Sequence, residues 1–350
     1  MAKTRISAIP NFNPAMTSTG MVTSNCTVEN QQMALAVKRF STDKFELPEH
    51  FFHTNMAGVM RTALEQNFPH HTQDPNIRGV KELYGTAKGK TMVLCGSGYS
   101  LKAVRDRIPP KGSEKHKDLV IVAMNGAMKH LKPEQVDFFA ALDWMSPDDW
   151  HKGYDTTGIK AILGLTVPEH FRGAFKERYY YASNLFAVDE ALCKEWVEKV
   201  GQLDNARCVT YSMMHLAWRM GCRKVIFLGH DFACVGDALS NWYNADTEFN
   251  FGYAQNQESQ ILQDMFNNAT ITTEIMIGNM ETIATACKFC ELDGMVCINA
   301  SEAGIMALED RCMTFEEALA FKPSVKIPPL KAKEPTRPVL DWVNFRQAEE

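Results

Sequence analysis

Thr91-Met92-Val93-Leu94-Cys95-Gly96-Ser97-Gly98-Tyr99-Ser100-Leu101 is a short apolar run closed by two glycines and two serines. An apolar run without polar alternation, bounded by turn formers, predicts a strand buried on both faces, as in a parallel sheet. The segment after it, Leu101-Lys102-Ala103-Val104-Arg105, alternates basic and apolar residues and predicts a helix. Strand, glycine turn and helix form the arrangement in which backbone N–H groups and a helix N-terminus face an anion. Gly96 and Gly98 would let the chain turn and let a phosphate approach the backbone. Ser97 and Ser100 offer hydroxyl donors, and Ser100 also suits the helix cap. The turn is not a full G-x-G-x-x-G, because Leu stands at position 101, and it is not a Walker sequence, because no Gly-Lys-Ser/Thr follows. A tight strand-to-helix turn without a ligand is the competing reading.

Working outward, similar apolar runs recur at 119–123, 138–142, 161–163, 225–228 and 296–298. Most are separated by amphipathic segments. That alternation predicts an α/β fold with a doubly wound, mainly parallel, Rossmann-like sheet. Met213, Met214, Ala217 and Met220 share one face of a helix over 209–220 and read as core; a second helix is expected over about 282–292. Between 234 and 272 the chain turns polar and aromatic, with Trp242, Tyr243, Phe249, Phe251 and Tyr253 among amides and acids. An insertion there, after a strand, is where a substrate loop belongs. Apolar residues return at helical spacing between Pro48 and Asn67, so the reading is an N-terminal arm and helical preface over 1–75, a core over 76–320, and an extended Pro- and Lys-rich tail over 321–350.

Composition narrows the class. The 350 residues carry a formal net charge of -5, and no apolar run approaches the length of a membrane span or a signal peptide. A cytoplasmic protein with no membrane partner is expected. Nothing in the charge draws the whole chain to nucleic acid; the basic stretch from Lys322 to Arg337 is the sole feature in that direction. The ten cysteines sit mostly in apolar runs and read as reduced core thiols, and the Cys287/Cys290 pair lacks companion zinc ligands. His70 and His71 read as a solvated loop.

Polar residues follow several of the expected strands. Asn125 comes after the second, Asp143 after the third, and Gly229-His230-Asp231 after Phe227-Leu228. In an open α/β sheet such strand ends line one crevice. Asn125 and Gly229 suit nucleotide contact, and Asp143 or Asp231 suits a divalent cation or a general base. His230 suits proton transfer near neutral pH. Thr210 and Ser212 open the 209–220 helix, where hydroxyls and unpaired N–H groups again suit an anion. Asn299 and Ser301 follow the last strand, with a capping box at Ser301 as the alternative.

In order and spacing these blocks resemble the MptE-like family, which includes archaeal 6-hydroxymethylpterin diphosphokinases, motility-accessory factors and phage-encoded relatives. The matching stretch runs over about 76–320: Gly96 to Leu101 where the family reads G-x-G-P-S-L, Asn125-Gly126-Ala127 with Leu131, Asp143, the Ser212 helix leading to Gly229-His230-Asp231, and Asn299 to Glu302. Tyr99 replaces the usual proline. The family is in turn similar to bacterial sialyltransferases that use CMP-activated sugars. The resemblance to those reaches Ile277-Gly278-Asn279, where their catalytic histidine would be expected and this chain has Asn279.

The resemblance implies a phage-type transferase. The first reading is a glycosyltransferase using a CMP- or UDP-linked sugar donor, with Asp231, His230 or Asp143 deprotonating a hydroxyl on a glycan, a protein or a modified nucleobase. The second is pyrophosphoryl transfer from Mg-ATP to a hydroxymethyl group on a pterin-like or pyrimidine-like ring, with Asp143 and Asp231 on Mg²⁺. The third is a non-catalytic nucleotide-binding scaffold.

Overall fold

The computed structural model describes residues 40, 63–75, 77–143, 146, 148–182, 190–204, 208–233, 259–263, 269–308 and 311–322. Seven strands, all paired in parallel, form the main sheet: β1 (Thr91–Cys95), β2 (Leu119–Met124), β3 (Phe138–Ala141), β4 (Lys160–Gly164), β5 (Glu177–Tyr181), β6 (Lys224–Leu228) and β9 (Val296–Asn299). Their spatial order is β5-β4-β3-β2-β1-β6-β9. A separate antiparallel hairpin joins β7 (Ser259–Gln263) to β8 (Ala269–Thr273). The expected α/β doubly wound sheet is therefore the fold.

Strand alternation sorts the core into two halves. Met92, Leu94, Val120, Val122, Val225 and Phe227 point to one face, and Val93, Cys95, Ile121, Ala123, Ile226 and Leu228 to the other. Both faces are covered, which is why β1, β2 and β6 read as continuous apolar runs. The longer helices α5 (Val209–Met220) and α6 (Glu274–Leu292) cover the first face, through Met213, Met214, Ala217, Met220, Ile277, Met280 and Ile283. The opposite face is covered by shorter pieces, among them α2 (Leu101–Val104), α3 (His170–Ala174), α4 (Glu190–Val200) and α7 (Phe315–Ala320). A short helix α1 (Phe68–Thr72) precedes the sheet.

Several expectations need correction. The helix after the glycine turn lasts only from Leu101 to Val104 and tightens into a 3₁₀ turn at Arg105–Arg107, because Pro109 and Pro110 allow no continuation. Helix α6 starts at Glu274, well before the expected 282. Strand β5, Glu-Arg-Tyr-Tyr-Tyr, was not foreseen; it is an edge strand with a charged start, so it lacks the apolar run that marks the inner strands. His71 is not solvated. It is fully buried, with Nε2 2.6 Å from the Val167 carbonyl and Nδ1 3.3 Å from the Tyr180 hydroxyl, and burial lowers its pKa to about 4. Of the 1–75 region, Phe40 packs its ring on His215 at 4.6 Å, and most of the rest lies outside the described residues, as does most of the 234–272 insertion and nearly all of the tail.

Cys95, Cys222, Cys287, Cys290 and Cys297 are buried as free thiols. Among the described residues no group of three His, Cys, Asp or Glu side chains is placed to hold a metal, and no helix is long and apolar enough to cross a membrane.

One buried cation ties the last helix to the sheet. Lys224 Nζ donates to the carbonyls of Ala318, Leu319 and Phe321 at 2.7, 3.0 and 3.0 Å, satisfying the exposed acceptors at the end of α7. Replacing Lys224 with Met keeps the aliphatic stem and removes all three donors. The expected cost is about 1–3 kcal/mol, with faster amide exchange confined to 315–321, measured by mass spectrometry. Unchanged exchange there would show that the helix end does not depend on this cation.

Candidate active site

The chain order across the sheet reverses at β1. After β1 the chain steps to β2 and on to β5; it then returns to place β6 on the other flank of β1. The chain therefore leaves β1 and β6 for opposite flanks of the sheet, and a crevice opens beside their carboxyl ends. Register places Cys95 level with Ala123 of β2 and with Leu228 of β6. The residues that follow each strand must then meet at one edge.

They do, at very short range. The Gly96 N–H donates to the Leu228 carbonyl at 2.8 Å and the Gly98 N–H to the Gly229 carbonyl at 2.9 Å. A Cβ on Gly96 would lie 2.6 Å from the Gly229 oxygen; one on Gly98 would lie 2.5 Å from it and 2.7 Å from the Asp231 carboxyl carbon. Gly229 has φ +66 and faces the Gly96 carbonyl equally closely. The approach of the two strand ends by itself requires these glycines. The N–H groups of Gly96, Gly98 and Ser100 are taken by Leu228, Gly229 and Asp231, at the end of β6 and just beyond it, and those of Ser97 and Tyr99 make no such bond.

Beside the two strand ends lies a crevice of about 590 Å³, counting space open to solvent. Of the expected residues, Gly96, Ser97, Gly98, Asn125, Thr210, Gly229, His230 and Asp231 line it. Met124, Cys208, Val209, Phe232, Met276 and Asn279 complete the lining. Cys208 and Val209 enter because α5 starts at the crevice mouth, and Met276 and Asn279 because α6 starts earlier than periodicity indicated. Asn279 had carried a sequence signal, as the replacement for an expected histidine. Among the described residues the lining contains no lysine or arginine, and it offers an anion backbone N–H groups, hydroxyls and helix starts.

His230 is held at three points. Its N–H donates to Ser301 Oγ at 2.9 Å, Nδ1 lies 3.1 Å from the Leu228 carbonyl, and Nε2 lies 3.1 Å from Thr210 Oγ1. A carbonyl can only accept, so Nδ1 carries the proton and Nε2 accepts from the threonine hydroxyl. Burial lowers the ring's pKa to about 4, which keeps it neutral. Asn125 has φ +52, a backbone region that asparagine tolerates better than most residues, and its Oδ1 is buried with no hydrogen-bond partner among the described residues. Asp231 is also buried. Oδ2 accepts from the Ser100 N–H at 2.9 Å and Oδ1 from the Ser100 hydroxyl, while burial raises the carboxyl pKa to about 6.

Five expected residues stand outside the lining. Ser100 is buried beneath the turn as the partner of Asp231. Ser212 is fully buried beside Tyr181. Asn299 spans its own loop, donating from Nδ2 to the Met306 carbonyl at 2.6 Å and accepting from the Ser301 N–H at 3.0 Å; Ser301 supports His230 from behind and caps no helix. Asp143 is exposed at the end of β3, where its carbonyl accepts from Ser146. Of the two expected cation ligands, Asp231 lines the crevice and Asp143 does not.

Residues 64–237 match the family described as 6-hydroxymethylpterin diphosphokinase MptE-like, starting before and ending well short of the 76–320 stretch that carries the motifs. Among solved structures, the fold is similar to a structure described as MAf glycosyltransferase from Magnetospirillum magneticum AMB-1, with a TM-score of 0.50 and 17% identity. That likeness covers 73% of this chain and 38% of the other, so it is one of fold over a minor part of the longer protein. No curated protein sequence matches.

The geometry fixes a pH dependence. The folded Asp231 pKa of about 6 lies above the ordinary aspartate value, so the folded state binds the extra proton between roughly pH 4 and 6. The stability this group contributes is complete below the unfolded pKa and is lost as pH rises through 6. Relative to Asp231→Asn, the wild type should lose on the order of 3 kcal/mol between pH 4 and pH 8. Denaturant unfolding of both proteins across that range checks the sign; a parallel pair of curves would show that the carboxyl is not buried.

Proposed function

We propose that the crevice binds a nucleotide-linked sugar donor and that the protein is a glycosyltransferase acting on an acceptor hydroxyl. The observation that carries this reading is the Thr210–His230 pair facing a crevice built at the switch between β1 and β6, with a neutral imidazole nitrogen behind a threonine hydroxyl. The donor phosphate is held by the Ser97 and Tyr99 N–H groups, the Ser97 hydroxyl and the start of α5. Asn125, whose buried Oδ1 has no partner among the described residues, hydrogen-bonds a donor group on the nucleotide. Met124, Phe232 and Met276 supply the apolar surface that a base or sugar ring packs on.

The transfer itself runs as a displacement at the anomeric carbon. The bond from that carbon to the phosphate oxygen breaks, and the nucleotide leaves with the electron pair. The acceptor oxygen forms the new bond and passes its proton to Thr210 Oγ1 as the threonine proton moves to His230 Nε2. Burial makes His230 a weak base, which suits a reaction whose transition state is oxocarbenium-like and whose acceptor becomes acidic only late. Of the other expected bases, Asp231 has both oxygens on Ser100 and Asp143 lies outside the crevice lining. A glycan, a protein or a modified nucleobase remains the acceptor class; the basic tail that would favour nucleic acid lies almost wholly outside the described residues.

The second reading, pyrophosphoryl transfer from Mg-ATP, is favoured by the description of the matched family. It would need carboxylates converging on a cation, and the placement of Asp143 and Asp231 supports it less than it supports sugar transfer. Calorimetry with CMP, UDP and Mg-ATP in separate titrations separates the two. We expect CMP or UDP to bind without a divalent cation. Thr210→Val and His230→Ala should lower turnover of the matching sugar nucleotide by about 10²–10⁴-fold while nucleotide affinity stays within about tenfold. Binding of Mg-ATP alone, with AMP released, would replace this reading with the second.

A further inference from the structure

We propose that Asp231 is a positioning residue: delivered from the end of β6, its carboxylate fixes the Gly96 to Leu101 turn in the shape that presents Ser97 and Tyr99 to the donor, and it is not the proton acceptor. The part concerning the donor rests on the function proposed above; the part concerning the turn stands on geometry alone.

Asp231 reaches across 131 positions of sequence to bond both the N–H and the hydroxyl of Ser100, the residue that starts α2. Helix α2 is a single turn of four residues, too short to be stable alone, and its entry is closed locally by 3₁₀-type bonds such as the one from the Leu101 N–H to the Gly98 carbonyl at 3.1 Å. The turn from Gly96 to Leu101 contains two glycines and no proline to restrict its backbone. Asp231 supplies from outside what the local sequence lacks.

Its own placement is over-determined. The Asp231 carbonyl accepts from the Ile305 N–H at 2.9 Å, and the chain passes it so closely at Gly304 that a Cβ there would overlap the Asp231 backbone. On either side, Gly229 and Phe232 hold φ +66 and +49. The bend at Phe232 is costly for an aromatic residue and is pinned by the Thr272 hydroxyl, which donates to the Phe232 carbonyl at 2.6 Å. The missing Cβ of Gly98 leaves the space that the carboxyl fills, 2.7 Å from where that atom would be. Each carboxylate oxygen keeps a second lone pair, so the bonds to Ser100 do not by themselves exclude a base. The 1% exposure of the residue and its contact with Gly98 turn it toward the protein.

Asparagine can reproduce both bonds, with Oδ1 accepting from the Ser100 N–H and Nδ2 donating to the Ser100 oxygen; it cannot serve as a base. The test compares Asp231→Asn, Asp231→Ala and Ser100→Ala in the full chain at pH 7.5. Amide exchange over 96–104 should match the wild type in Asp231→Asn and run at least about tenfold faster in both alanine variants. With the sugar nucleotide that the wild type turns over, Asp231→Asn should keep kcat within about tenfold. The alanine variants should lose chiefly in KM, and the affinity for CMP or UDP should fall with it. If Asp231→Ala does not fold, Ser100→Ala carries the comparison. Loss of kcat by more than about 10³-fold in Asp231→Asn, with exchange and nucleotide affinity unchanged, would make Asp231 the base and overturn the proposal. Equal exchange in all four proteins would overturn it as well. If neither CMP nor UDP binds the wild type, the donor reading fails, and the exchange comparison still decides whether Asp231 holds the turn.

Discussion

The contact on which the rest of the site depends is the approach of two backbones at the carboxyl edge of the sheet. Gly96 and Gly98 donate to the Leu228 and Gly229 carbonyls, and no side chain larger than hydrogen fits at any of the three glycines that make the contact. Parallel strands normally separate once their ladder ends. Here hydrogen bonding between the β1 and β6 chains continues past the strands, to Gly98 and Gly229 in the turn itself. The crevice beside it is narrow because these backbones are close, and its floor is rigid because both are hydrogen-bonded.

That constraint organises the side chains around it. Holding Gly229 against Gly96 sets the direction in which His230 and Asp231 leave the strand. The imidazole goes toward α5 and Thr210, and the carboxylate goes under the turn toward Ser100. Two neighbouring titratable residues thus acquire opposite duties from one bend. Burial acts on both toward neutrality, lowering the histidine to about 4 and raising the aspartate to about 6. Behind them, Asn299 and Ser301 hold the strand end from the β9 side, Ser301 through its bond to the His230 N–H. A polar residue placed after a strand is in this instance as often a brace as a ligand contact.

The two faces of the sheet contribute unequally. The face with α5 and α6 carries the longer helices, and both of these begin at the crevice, so Cys208, Val209, Thr210, Met276 and Asn279 reach it together. The opposite face is built from short helices and 3₁₀ turns, tied by long-range polar contacts such as Lys224 on the end of α7. The site is thus framed by the long helices and steadied by the short ones.

The sequence by itself determined the inner sheet. Runs such as Thr91 to Cys95 and Leu119 to Met124 are apolar on both faces and closed by turn formers, and such runs fit only strands covered on both sides. It also marked the strand ends that meet, since glycine and small polar residues at 96–100, 125 and 229–231 are local signals. It did not show β5 or the early start of α6. The edge strand has no apolar run to betray it, and the α6 start depends on the hairpin that delivers it. Nor could it assign roles within the crevice. Ser100 and Asp231 looked like ligand contacts because each follows a strand, and only the fold brings them together across 131 positions. Whether a polar group faces a ligand or another polar group is set by which lone pairs and donors remain once the strands have paired, and that is decided by tertiary structure alone.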